Sequence, residues 1–107
     1  MPWIEATIVR FVEEHQPGIV ECVFEDASGQ AHSIVDKCWM FTEQSLWSDS
    51  EYPVLGSVQC RVLELRQDHL DRELALIAIA EPDHLETTKG KTEFVLLASK
   101  VSDEPTA

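Results

Sequence analysis

The sequence predicts an all-β chain: a small antiparallel β-barrel or rolled sheet of about six strands, with a short helical turn between strands 3 and 4. Three observations lead there. Apolar and polar residues alternate with a period of two in several short runs, as in half-buried strands. Turn-forming residues (Asp26, Ser28 and Gly29; Pro17 and Gly18; Pro53 and Gly56) separate those runs. No stretch sustains the 3.6-residue repeat of an amphipathic helix.

The pattern is clearest over residues 17–37. Val20, Cys22 and Phe24 fall on one face of a run over 19–24, with Ile19, Glu21, Val23 and Glu25 on the other. The segment 25–30 then bends the chain at Gly29 into a second run over 32–35, a hairpin. Before it, residues 3–12 alternate imperfectly, with Ile4, Ala6, Ile8 and Val12 on one side and Arg10 interrupting the set. That strand is expected to be covered on both faces for part of its length. Pro17 and Gly18 end the loop that follows.

Residues 36–53 are the least regular part, and Thr42 is a candidate cap for a single helical turn there. Residues 57–65 alternate again, with Val58, Cys60 and Val62 on one face. Residues 73–80 form the most continuously apolar run, and a polar bridge over 66–72 makes these two segments a second hairpin. A loop over 81–91 containing Pro82 and Gly90 precedes a closing strand over 92–98. One domain over 1–101 with a frayed acidic tail over 102–107 accounts for the 107 residues.

Twenty acidic residues against eight basic ones give a formal charge of −12. Such a surface repels phosphate backbones and anionic lipid and attracts a basic protein. The amino-terminal residues carry no secretory signal pattern, and no apolar run approaches membrane-spanning length. The odd count of three cysteines suggests reduced thiols, hence a cytoplasmic protein.

Chemistry-bearing motifs are sparse. The histidines at 15, 32, 69 and 84 and the cysteines show no metal-ligand spacing, so neither metal nor cofactor is expected, and Cys22 and Cys60 are expected to point inward. Cys38 sits beside Lys37, whose ammonium would lower a thiol pKa, and His32 precedes it on the same hairpin. Together they suggest a pocket at the barrel mouth, for a small ligand or a reaction. A strip through Arg61, Arg66 and Arg72 would suit an oligonucleotide-binding-type barrel, although the overall charge opposes it. Catalysis has no motif behind it. The remaining feature is aromatic: Trp39, Phe41, Trp47 and Tyr52 crowd into the irregular segment. They either plug the end of the barrel or anchor a partner or a second copy. On the latter reading Trp39, Phe41 and Trp47 are the apolar contacts, and Glu43, Asp49 and Glu51 form the polar rim.

The runs PGIVECVFEDASGQAHSIVDK, YPVLGSVQCRVLEL and LETTKGKTEFVLLASK resemble a group of uncharacterised small conserved bacterial proteins of about this length, some similar to immunity or inhibitor partners. The resemblance spans nearly the whole chain but rests on turn and packing residues such as Pro17, Gly18, Cys22, Asp26, Gly29 and Gly56. It implies a fold, not a reaction, and no site residues. The barrel pattern is also loosely similar to the second and third domains of elongation factor Tu, without any GTPase part.

Overall fold

The computed structural model describes residues 2–14, 17–81 and 83–105. His15, Pro82 and the end of the tail, on which expectations above also rest, lie outside them. Eight strands run in chain order: β1 (Trp3–Glu13), β2 (Ile19–Glu25), β3 (Ala31–Lys37), β4 (Val54–Gln59), β5 (Arg61–Gln67), β6 (Glu73–Ala78), β7 (Glu93–Leu97) and the short β8 (Val101–Ser102). All pairings are antiparallel. One sheet has the order β3-β2-β1-β4, with β8 also on β1; the other has the order β5-β6-β7.

The expected strand over 57–65 is thus two strands that meet at Cys60. β4 pairs with β1 and β5 pairs with β6, so the chain changes sheet at this corner. The buried Cys60 donates its N–H to Pro2 O at the corner. Closure at the other side comes from the turns. Ala27 N donates to Val95 O of β7, and Thr88 N donates to Ser33 O of β3. β8 takes in Ser102, which was expected in the frayed tail, by pairing it with Trp3.

The core follows the alternation. Ile4, Ala6 and Ile8 of β1 meet Val20, Cys22 and Phe24 of β2, Ile34 of β3 and Val58 of β4. Ala75, Ile77, Phe94 and Leu96 continue it into the second sheet. β1 departs from a plain period of two: its register with β2 shifts between Ile8 and Arg10 and again between Phe11 and Glu13. Val12 is therefore exposed, while Arg10 reaches Glu21 at 2.6 Å and holds that carboxyl below its usual range. The loop after β6 carries Leu85 and Thr87 into the interior, which its charged neighbours conceal.

Three hairpin turns are built to one plan. Gly29 N, Asp71 N and Gly90 N donate to the carbonyls of Asp26, Asp68 and Thr87. All three donors have positive φ, of 86°, 60° and 78°. In each turn the first residue's side-chain oxygen also accepts from the backbone N–H four positions on: Gln30, Arg72 and Lys91. The two aspartates additionally accept the N–H two positions on, from Ser28 and Leu70. The side chain replaces the water that an exposed turn would need.

Asp26 is the most heavily bonded of the three. It also accepts from the Ser28 hydroxyl at 2.6 Å and lies 2.8 Å from His32 Nε2. Desolvation alone would raise its pKa, but the bonds from Ser28, His32 and Gln30 outweigh that and hold the carboxyl well below the ordinary range. Asp26 therefore stabilises the fold above the usual carboxylate pKa, and its contribution fades as pH falls below about 4. Asp26→Asn is expected to lose about 1–2 kcal/mol at neutral pH in urea unfolding, with the gap to the parent closing in acid. A gap unchanged with pH contradicts this assignment.

Candidate functional site

Between β3 and β4 the chain does not return directly. Lys37 leads into a 3-10 turn, Cys38–Met40, with no side-chain cap. Thr42, the candidate cap, accepts from Gln44 N at 3.1 Å as a cap would, but no helical turn follows it. Two backbone bonds hang the segment on the barrel: Cys38 N donates to Gly18 O, and Ser57 N donates to Phe41 O. Between them, Met40 and Phe41 sink into the core. Phe41 is only 2% exposed, so it is a plug and cannot serve as the surface anchor the sequence suggested. Trp39 and Trp47, by contrast, are each 60% exposed. The crowded aromatic segment is thus divided: Phe41 is buried and the two tryptophans are exposed.

The second tryptophan is held by its own backbone. Trp47 N donates to Ser50 Oγ at 2.9 Å, Ser50 N donates back to Trp47 O, and the Tyr52 hydroxyl donates to the same carbonyl at 2.8 Å. Burial raises the Tyr52 pKa, keeping that hydroxyl a donor. Ser48 Oγ reaches Glu14 Oε1 at 2.9 Å and ties the segment to the end of β1. The Trp47 side chain is thus presented to solvent on an ordered loop, with little backbone entropy left to lose on contact.

A cleft of about 920 Å³ lies between this segment and the β1–β2 connection. Trp39, Leu46 and Trp47 form one side, and Phe11, Pro17 and Gly18 form the other. Phe11 reaches it because of the β1 register shift, and Gly18 permits it, since a Cβ there would lie 2.8 Å from the Phe11 ring. Glu14 and Glu43 supply the acidic lining, while Asp49 and Glu51 are exposed but lie outside it. A second cleft of about 560 Å³ opens on the β4 side of Thr42, Glu43 and Gln44, so Glu43 lines both.

Cys38 and His32 do not come together. They sit at opposite ends of β3, about 20 Å apart at strand rise. His32 is committed to Asp26 and stacks among Phe24 and Phe94, with ring centroids 5.5 and 4.6 Å away. Cys38 lines the first cleft, its thiol 3.8 Å from Gln44 O. Burial pushes its pKa up, only partly countered by a backbone bond at Leu46, so the thiol is not activated as its position beside Lys37 suggested. Cys22 and Cys60 are buried and pushed up to about 12 and about 11. Among the described residues no three His, Cys, Asp or Glu side chains gather as metal ligands. No helix there is long and apolar enough to cross a membrane. The expected basic strip is broken up: Arg61 pairs with Glu81 at 3.4 Å and Arg72 with Asp68 at 2.7 Å.

The sequence singled out the loop that forms one side of this cleft but not Glu14, Phe11, Pro17 and Gly18, which complete it from far away in the chain. The one signal for them is the Pro17-Gly18 pair, which stops β1's partner from starting earlier. Comparison with family models, with curated proteins and with solved structures finds no match for this chain.

The division of labour in the aromatic segment has a thermodynamic signature. Phe41→Ala is expected to destabilise the protein by about 3–5 kcal/mol, whereas Trp47→Ala changes it by less than about 1 kcal/mol in the same urea titration. Similar losses at both positions contradict the assignment of plug and surface.

Proposed function

We propose that this protein is a non-catalytic binding module, of the inhibitor or immunity type, whose partner is a protein with a basic surface segment. The observation that carries the reading is that two half-bare tryptophans line one acidic cleft on an ordered loop. A monomer gains nothing in stability from exposing those rings, and tryptophans in such settings are the residues that dominate interface energies. Their flat faces also take Lys and Arg side chains by cation–π contact.

Charge supports the choice of partner. Glu14 and Glu43 line the cleft, and the chain as a whole carries −12. Residues 1–55 contain only Arg10 and Lys37 as basic residues, and Arg10 is paired with Glu21. A cationic segment would therefore be drawn toward this face and, once there, would bury its aliphatic stems against Phe11, Leu46 and the tryptophans. The cleft volume also lies within the range of small-ligand sites, which favours an apolar-ligand carrier as the second reading.

Salt separates the two. The immobilised protein is expected to retain a basic partner from lysate at low ionic strength and to release it at high salt, with Trp39→Ala and Trp47→Ala each weakening capture about tenfold or more. A partner indifferent to both substitutions and to salt overturns the reading. Retention of a small apolar molecule that survives high salt and is lost with the tryptophans establishes the second one.

A further inference from the structure

The strand β5 is the outer member of its sheet: it forms a ladder with β6 alone. Among the described residues, no other backbone hydrogen bond is made from Arg61–Gln67. Its side chains are as bare as its edge, with Leu63 43% and Leu65 70% exposed, followed by Leu70 at 64% in the adjoining turn. A long edge strand with exposed leucines is a template for another strand. Proteins that guard such an edge place like charges along it, so that two copies repel. This edge does not. Glu64 and Arg66 carry opposite signs on either side of Leu65, and both are exposed and outside every ion pair among the described residues.

We propose that β5 pairs antiparallel with β5 of a second copy of this chain, about a two-fold axis at Leu65. In that register each Glu64 stands opposite the other copy's Arg66, twice over, and Leu65 meets Leu65. Centring the pair on Glu64 would oppose two carboxylates. Centring it on Leu63 would put Arg66 opposite the buried corner at Cys60. Only the Leu65-centred register satisfies both charges, and it is centred within Glu64–Gln67, the regular part of β5 beyond the register shift between Val62 and Glu64. The two three-stranded sheets then join into one continuous sheet. No β5 residue lines the tryptophan cleft, so a dimer displays two open clefts and engages a repetitive partner with a gain in avidity.

Sedimentation equilibrium of the full chain across the micromolar range is expected to show a dimer. Glu64→Lys and Arg66→Glu, made singly, are each expected to weaken it about tenfold, and the double exchange Glu64→Arg with Arg66→Glu is expected to restore it. Trp39→Ala and Trp47→Ala leave the association unchanged, which separates this edge from the aromatic face. A protein that stays monomeric throughout overturns the proposal. So does a dimer unaffected by the single reversals, or one that the double exchange fails to recover while far-ultraviolet dichroism shows the β structure intact.

Discussion

Two backbone hydrogen bonds and one ring decide what the irregular segment between β3 and β4 can do. Cys38 N on Gly18 O and Ser57 N on Phe41 O fix the ends of a short span, and the Phe41 ring between them fills the mouth of the barrel. With that side chain sunk, Leu46 and Tyr52 pack only partly against the core, and Trp39 and Trp47 are carried over the surface. The exposure of the tryptophans is thus a consequence of the plug. Remove it and the segment loses its seat, the cleft loses a wall, and any partner meets a floppy loop instead of an ordered one.

The two sheets beneath are held together by chemistry that is local in sequence but long-range in effect. Each anchored turn makes its own tight bend, and two of them are then tied together by Arg72, whose guanidinium donates to Ala27 O at 3.2 Å. The same Asp26 carboxylate that orders its turn also holds His32 against the aromatic cluster with Phe94, so the first sheet is fastened to the second at a polar joint. Charge is distributed unevenly over this frame. The end bearing the cleft is nearly free of unpaired cations, while the β5 edge carries both signs. The first arrangement is the one proposed to receive a basic partner and the second the one proposed to pair with a copy of itself, and the two faces can be perturbed independently.

Much of the frame was legible in the sequence. The faces of β2 follow directly from a period of two, and the β2–β3 turn from Asp26, Ser28 and Gly29. What escaped has physical causes. A bulge in β1 leaves no mark in composition, so the turning of Phe11 toward the cleft was invisible. The sheet change at Cys60 looks like uninterrupted alternation because the side chains keep their order while the backbone bends. In the 38–52 segment there is no periodicity to sort inward from outward residues, so Phe41 and Trp39 read alike although one is buried and the other bare. The pairing of Cys38 with His32 failed on strand length alone, and the contribution of Glu14 required a loop contact that no local pattern encodes.

Trp39 and Trp47 form the contact surface proposed for a cationic chain, and the three indole N–H signals of the protein report on it directly. A titration with a lysine- and arginine-rich peptide containing apolar residues, followed by ¹H–¹⁵N spectra at low and high salt, should shift the Trp39 and Trp47 indole signals saturably, leave Trp3 in place, and lose affinity as salt rises. Signals that all drift together without saturating, or that leave Trp39 and Trp47 unmoved, would contradict it.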